Sequence, residues 1–445
     1  ANATYSFNGK YVVNGTFRYE GSNQMGRTTK ARWMPTWNVS GAWNVHEESF
    51  FPKLKPLSSL TFRVSYSLTG TPPDASYCSA LTKLSMNTPY RPTTTDKELG
   101  FVVAALGNDE LTYEKKNEFN FGVDAGFFNN RLNVTFDVYQ RRNFDEIAPA
   151  VSQLYGKAYA NVGSMKSWGE ELSISSTNVK TNDFSWQTSL IYSHNRTKIT
   201  ELFNQGRVID LVQGNGFAKQ GYPARALFSI PFVGINEKGY PVCINEKGQA
   251  TVGDLNFQNR DNTDYLIYEG STDPIYNGSL GNTFNYKGFH LNLFLTYAFG
   301  NVVRLDPVFK AKYNDLTSMT HNFKNRWMQP GDENVTNVPG VLSRYEYEQN
   351  HTLLATAYNA YNYTSVRTAK GDFIRLKEIS LAYDFPHRWF ENSPVNNISL
   401  KLQATNLMLL YADKKLNGQD PEFMNAGGVA SPMPKQFTLT LKLGL

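Results

Sequence analysis

The sequence predicts an all-β protein, a transmembrane antiparallel β-barrel domain of about thirteen strands, and three observations predict it. The closing stretch FTLTLKLGL puts Phe437, Leu439, Leu441, Leu443 and Leu445 on one face and Thr438, Thr440, Lys442 and Gly444 on the other, because successive side chains of a strand point to opposite faces. A wall with hydrocarbon on one side and water on the other requires that pattern. The same alternation returns along the chain in short segments joined by alternately short and long connections. The composition agrees: 14% aromatic residues and 33 glycines favour strands and turns over helices. No run approaches the ~18 apolar residues of a membrane-spanning helix. A mean hydropathy of −0.45 is no objection, since a barrel hides its lipid-facing residues in every second position.

Taken in order, Tyr5 and Phe7 precede Asn8-Gly9, and Tyr11, Val13, Phe17 and Tyr19 follow it. This is a hairpin signal, because both central residues of a type I′ turn need positive φ. Trp33, Trp37, Val39, Trp43 and Val45 then alternate with Asn38, Ser40, Asn44 and His46; tryptophan suits a membrane interface, where its ring and its N–H find different surroundings. Leu60, Phe62, Val64, Tyr66 and Leu68 alternate with Thr61, Arg63, Ser65, Ser67 and Thr69. Arg63 is expected to face water or a polar lumen, because an arginine facing lipid at the midplane costs about 2–4 kcal/mol. Phe119 to Ala125 and Leu132 to Val138 form the next pair, with Asp124 and Asp137 on the polar face. Leu172 and Ile174 pair with Phe184 to Tyr192 around a polar turn. Leu280 to Tyr286 and Phe289 to Phe299 meet at Lys287-Gly288, and the last three strands centre on Ile379 to Phe385, Ile398 to Ala404 and Phe437 to Leu445.

Between these lie stretches without a sustained period, about 71–110, 201–278, 300–370 and 412–434. They read as extracellular loops, because outer-membrane barrels carry short periplasmic turns and long outer loops. The segment ARALFSIPFVGIN, Ala224 to Asn236, looks like a strand, but counting it as a crossing breaks the alternation of connections, so 201–278 reads as one excursion. It contains INEKG twice, at Ile235 to Gly239 and Ile244 to Gly248, expected to be two turns of one surface ribbon. A closed single-chain bacterial barrel has an even strand count. The odd count, with a start already inside a strand pattern, leads to the expectation that the N-terminal remainder of the same barrel precedes Ala1.

The formal charge of +5 is spread along the chain without a Lys/Arg block, so no nucleic-acid partner is expected; membrane lipid is expected from the barrel pattern. Cys78 and Cys243 match no metal or redox spacing, and whether they are bonded stays open. There is no HExxH, GxSxG or Walker loop, and the adjacent Glu170 and Glu171 point to opposite faces of a strand. No catalytic residue, metal, cofactor or enzymatic activity is expected. The candidate substrate-binding residues are Tyr358, Tyr361 and Tyr363 of ATAYNAYNY and Trp327 of NRWMQPGD. Aromatic faces on an outer loop can stack on sugar rings or grip a peptide; the alternative is that they pack the loop onto its neighbours.

Several segments in order carry a resemblance: GNDELTYEKKNEFNFGVD (Gly107 to Asp124), FFNNRLNVTFDVYQRR after it, NVGSMKSWGEELSIS (Asn161 to Ser175), NRWMQPGD (Asn325 to Asp332), GDFIRLKEISLAYDFP (Gly371 to Pro386), then LQATNLMLL and GQDPEF. Over nearly the whole chain they resemble the SusC/RagA family of TonB-dependent outer-membrane transporters. The resemblance implies the C-terminal part of a barrel of about 22 strands in a bacterial outer membrane, with the plug domain and TonB box absent from this chain. It also implies a SusD-like surface lipoprotein lid, TonB-ExbB-ExbD reached through the missing N-terminal part, a possible dimer of SusCD pairs, and import of oligosaccharides or oligopeptides. Two departures stand out. The chain ends in Leu445 where the family has an aromatic residue, and the family's Asp-rich turn survives only as DNTDY, Asp261 to Tyr265. That turn lacks the ligand spacing of an EF-hand-like loop. The rival classes are a passive porin or structural outer-membrane barrel subunit, and a secreted carbohydrate-binding β protein.

Overall fold

A computed structural model describes residues 1–23, 25–51, 56–72, 81–87, 100–152, 156–313, 319–391, 394–426 and 434–444. Thirteen strands form one large antiparallel sheet in which each is hydrogen-bonded to the next along the chain. They are β1 (Asn2–Phe7), β2 (Tyr11–Gly21), β3 (Trp33–Asn44), β4 (Leu57–Thr71), β5 (Glu114–Phe127), β6 (Leu132–Ser152), β7 (Gly156–Lys180), β8 (Phe184–Leu202), β9 (Tyr276–Tyr286), β10 (Phe289–Phe299), β11 (Phe373–Asp384), β12 (Asn397–Ala412) and β13 (Gln436–Gly444). The expected all-β class and strand number are both found. Among the described residues no helix is long and apolar enough to cross a membrane, which leaves crossing by strands untouched. The chain divides into two compact units: Ala1–Ser173 with Asn195–Asn204 and Gln220–Tyr222, and the remainder.

In the first unit the Asn8-Gly9 turn has φ of 52° and 70° and closes β1 on β2 with Phe7 opposite Tyr11, the type I′ geometry these residues favour. On β3 the indoles of Trp33 and Trp43 stack on Tyr19 and Tyr11 at 5.3 and 6.4 Å. Ten residues of strand separate them, about 33 Å of rise, or roughly 25 Å along a membrane normal at ordinary strand tilt. That is the height of a barrel's apolar band between its aromatic girdles. Val39 lies between them, level with Tyr66 and then Phe119 across the sheet, and all three are exposed. At the Trp43 end, Glu48 accepts hydrogen bonds from Tyr11 Oη at 2.7 Å, Trp43 Nε1 at 3.2 Å and Lys10 Nζ at 2.9 Å; Tyr11 first, then Lys10, hold its carboxyl below the usual range.

The opposite face is polar, as Arg63 required. Arg63 Nε bonds Asp124 Oδ2 at 2.7 Å and Arg63 Nη2 bonds Asp137 Oδ2 at 3.1 Å. Gly122 lies opposite Arg63, and a Cβ there would meet Asp137 and Arg63 at 2.4 and 2.7 Å. Glycine makes room for the triad. Between β4 and β5 a small hairpin, Lys83–Asn87 with Gly100–Ala105, occupies part of a stretch that lacked a readable period. Cys78 lies outside the described residues.

In the second unit β12 and β13 pair in the expected register. Leu402 faces Leu439, Leu400 faces Leu441, and on the other face Lys401 meets Thr440 and Gln403 meets Thr438. Leu402, Leu439, Leu441 and Leu443 are exposed. Strand β11 begins at Phe373, several residues before the alternation is legible, because Lys377 is an extra residue against β10, where Leu295 faces Leu376 and Phe294 faces Glu378. A β-bulge puts two residues where one belongs, so the sequence there shows adjacent polar residues, Lys377-Glu378, instead of alternation. Segment 203–275 contributes none of its described strands to the large sheet. ARALFSIPFVGIN forms two short strands, Ala226–Ser229 and Phe232–Ile235, broken at Ile230-Pro231; the first pairs with Ile267–Ser271 and the second with Pro241–Ile244. The two INEKG copies are successive turns of one three-stranded ribbon, the second closing Pro241–Ile244 on Ala250–Thr251. Asn236 Oδ1 and Asn245 Oδ1 each accept from the residues two and four further on.

Candidate functional site

The candidate aromatics sit among the loops of the second unit. Arg344–Gln349 and His351–Asn362 are helices, which the sequence reading treats as loop. The first starts with a capping box in which Ser343 Oγ accepts from Glu346 N and the Glu346 carboxylate accepts from Ser343 N. In the second, Leu354, Ala357, Tyr358 and Tyr361 recur at helical spacing and are all buried. Leu354, Ala357 and Tyr358 pack with Ala311, and Tyr240, Val252 and Leu342 close around them.

Tyr358 is fully buried and its hydroxyl donates to the Gly340 carbonyl; burial pushes its pKa far up. Tyr361 is buried edge-on to Phe309 at 5.0 Å and Phe232 at 5.6 Å, and burial pushes its pKa up to about 12. Trp327 is half-buried between two glycines: a Cβ on Gly239 or Gly340 would meet its ring at 2.5 or 2.8 Å. Its Nε1 donates to Glu333 Oε2 at 3.0 Å, so the first INEKG turn and the NRWMQPGD segment lock together through this ring. Tyr363 has a different place. It meets Phe257 edge-on at 6.1 Å and lines a cavity of about 240 Å³ with Gln213, Asn215, Asp306, Pro307 and Met424, among others.

Three arginines shape that cavity and its surroundings, and none was a candidate from the sequence. Arg304, on the wall, is buried; its Nη1 donates to the Thr364 carbonyl at 2.7 Å and its Nη2 to the Phe228 carbonyl at 2.6 Å and Ser229 Oγ at 3.0 Å. With carbonyls in place of a carboxylate, burial lowers its pKa to about 9. Arg367 Nη2 donates to the Asp306 carbonyl at 2.8 Å, and its guanidinium lies 4.8 Å from the Phe309 ring centre. Arg375, on β11, reaches both carboxylate oxygens of Asp420 at 2.5 Å and Glu422 at 2.9 Å. The Arg375 and Asp420 side chains are 5% and 4% exposed. This pair pins segment 413–426, aided by Gln419 Nε2 donating to Asp306 Oδ2 at 3.2 Å and by Leu416 and Met424 packed on Val303, Leu305 and Ala369. Met424 then forms cavity wall. Arg375 and Asp420 stand within GDFIRLKE and GQDPEF, so their motifs were visible while their contact was not.

DNTDY occupies a turn where Asn259 Oδ1 accepts from Asp261 N and Asn262 Nδ2 donates to the Glu246 carbonyl. Among the described residues no group of three or more His, Cys, Asp or Glu is placed to hold a metal ion. Cys243 is buried, and burial raises its thiol to about 12.

A strand array with an exposed apolar face, aromatic girdles and a charged, hydrogen-bonded opposite face defines a β-barrel wall of the outer-membrane kind. The model of the family described as TonB dependent receptor-like, beta-barrel matches residues 1–306, and the chain belongs to that family and to the bacterial outer membrane. TonB-dependent receptor P3 of Formosa agariphila is 25% identical, covering 94% of this chain and 41% of that protein. TonB-dependent receptor SusC of Bacteroides thetaiotaomicron is 25% identical, covering 99% and 42%. A solved structure of the RagAB peptide transporter aligns with a TM-score of 0.78 at 23% identity, over 99% of this chain and 46% of that one, which shows a shared fold. The chain spans under half the length of these relatives.

Proposed function

We propose that this chain is barrel wall and outer loops of an active importer of oligomeric nutrients, the channel subunit of a SusCD-like complex energised through TonB. The observation that carries the reading is the packed loop array of the second unit. A passive pore needs only open loops, whereas a receptor must hold solute before it is moved, and here buried arginine staples and the Arg375–Asp420 latch fix a cavity in the loops. In this reading 71–110, 201–278, 300–370 and 412–434 face the outside, where a surface lipoprotein lid closes over captured solute. Tyr363 touches the solute, and Tyr358, Tyr361 and Trp327 hold the loop framework. The shared fold with the RagAB peptide transporter supports an oligopeptide cargo; an oligosaccharide is the other reading.

The test is uptake of fluorescent oligosaccharides and oligopeptides by cells carrying the full-length protein, with TonB present or deleted. Active import predicts accumulation that is lost without TonB. Equal uptake in both strains would favour the porin reading.

A further inference from the structure

Resting on that importer reading, we infer that an open groove between the first INEKG turn and the start of helix His351–Asn362 holds a short run of an oligopeptide cargo and favours runs that carry lysine or arginine. The groove measures about 800 Å³, inside the roughly 300–1,000 Å³ of small-ligand sites and room for roughly 25 waters at about 30 Å³ each. It takes several units of an oligomer at once. Its walls are braced before any solute arrives. The turn is held through Gly239 against the Trp327 ring and capped by Asn236, and a Cβ on Gly253 would overlap the Leu353 carbonyl at the helix start. A preformed groove loses little affinity to the ordering of its own loops.

The floor is mainly aliphatic, made by Val252, Leu353 and Leu354 with Tyr240 beside them. Leu353 is 44% exposed, so an apolar side chain of the cargo laid against it removes surface from water that this chain leaves uncovered. The rim is acidic. Glu237 and Glu333 line it, and Glu346 stands behind Tyr240, accepting from Tyr240 Oη at 3.1 Å. Glu333 accepts from Trp327 Nε1 at 3.0 Å and Gly331 N at 2.8 Å, and Glu346 from Ser343 N at 3.0 Å and Ser343 Oγ at 2.8 Å. Hydrogen bonds from Trp327 first in one case and Ser343 first in the other hold both carboxyls below their usual range, but these donors are neutral and cancel no charge. Among the described residues the one lining cation is Lys238, which also acts electrostatically on Glu346.

Three carboxylates against one ammonium leave two negative charges, and the positive end of the helix beginning at His351 returns about half a charge. The groove therefore stays negative in a chain whose formal charge is +5. An entering ammonium or guanidinium gains an attraction that becomes a repulsion for an acidic unit and is absent for a neutral sugar. Asn350, exposed on the same rim, presents an amide that both donates and accepts, matching the peptide backbone between such side chains.

The experiment is isothermal titration of the purified full-length protein in detergent with four probes: the capped peptides Ala-Lys-Leu-Lys-Ala, Ala-Gln-Leu-Gln-Ala and Ala-Glu-Leu-Glu-Ala, and maltohexaose. The basic peptide is expected to bind at least tenfold more tightly than the acidic peptide and than maltohexaose, with the glutamine peptide between the other two peptides. Two variants locate the effect. Glu237→Lys, at an exposed position, brings the net charge of the groove to zero and should weaken the basic peptide about tenfold while removing most of its preference. Leu353→Trp, which fills the floor, should weaken all three peptides. Equal binding of the basic and acidic peptides, tightest binding by maltohexaose, no binding of any probe, or basic-peptide binding unchanged in either variant would each overturn the proposal. Because binding is read without transport, equal uptake with and without TonB alongside the expected binding pattern would count against the importer reading alone.

Discussion

Replacing Arg375 with leucine isolates the latch between β11 and segment 413–426. Asp420 would then keep its carboxylate 4% exposed with its cation gone, while Glu422, at 43%, can turn to water. Removing one partner of a buried pair costs about 3–5 kcal/mol, chiefly the uncompensated charge left behind. The segment's other ties include Leu416 and Met424 in a small apolar cluster and single hydrogen bonds from Gln419, Lys370 and Lys415. Local opening is therefore the cheapest response. At about 1.4 kcal/mol per tenfold, the opening equilibrium should rise between a hundredfold and a few thousandfold. Hydrogen exchange of the full-length protein in detergent reads this directly: peptides covering 413–426 should exchange faster by that factor while peptides of β9 and β10 stay as in the wild type. Leucine at both 375 and 420 should recover most of the protection, since no charge then remains to be solvated. Exchange in the Arg375→Leu protein within threefold of wild type would refute the reasoning, and so would a double variant no better than the single one.

Three further outcomes follow from the same geometry. Cysteines placed at Leu402 and Leu441 should resist a water-soluble maleimide that labels cysteines at Gln403 and Thr440; the reverse pattern would mean a one-residue slip, which exchanges the faces. Trp327→Ala should leave the two faces of Gly239 and Gly340 uncovered and release the first INEKG turn, costing up to about 3 kcal/mol for a half-buried ring, seen as selective proteolysis within 236–240; an uncut ribbon would speak against it. In a Cys78→Ser background the Cys243 thiol, raised to about 12 by burial, should react at pH 8 about a thousandfold more slowly than a free thiol near 8.5. Because the folded value lies above the unfolded one, this site's stabilising contribution is complete below about 8.5 and is lost as pH climbs toward 12; fast labelling of the folded protein would contradict the burial.

What the sequence shows of this molecule is what the bilayer imposes on it. Where lipid touches one face and water the other, every second residue must be apolar, so the registers of β10, β13 and the Ile398 to Ala404 part of β12 can be read residue by residue. Strand β6 has 21 residues and β7 has 25, about 70 and 80 Å at 3.3 Å per residue, well over the 9–11 residues a crossing needs. Their outer parts have no lipid face to enforce alternation, and only Leu132 to Val138 and Leu172 to Ile174 stand out in sequence. The helix His351–Asn362 carries a stripe in Leu354, Ala357, Tyr358 and Tyr361, two of whose four members are tyrosines, a residue type equally at home on an exposed loop. The cavity is illegible for a different reason. Arg304 reaches carbonyls 60 and 76 residues away, and a guanidinium bonded to backbone leaves no mark in the identity of its partners.

The strand register explains how such distant segments meet. His194 of β8 is level with Tyr276 of β9, Tyr276 with Phe299 of β10, Ala298 with Phe373 of β11, and Phe373 with Ala412 of β12. These six residues, on five neighbouring strands, form one row in the second unit. The chain returns to this row at Tyr276 after 203–275, leaves it at Phe299 and comes back at Phe373, and leaves it again at Ala412, while the tight turn at Lys287-Gly288 lies at the opposite end of these strands. With neighbouring strands about 4.8 Å apart, Tyr276, Phe299, Phe373 and Ala412, where these loops join the sheet, are held within a few strand spacings of one another whatever the loops' length. Phe228 and Ser229 from the first, Arg304 and Thr364 from the second, and Asp420 from the third thus converge without any long-range sequence signal. An even number of crossings in 203–275 keeps this arrangement. A single crossing there would put β9 in parallel with β8, contrary to their antiparallel ladder from Phe184 opposite Tyr286 to His194 opposite Tyr276.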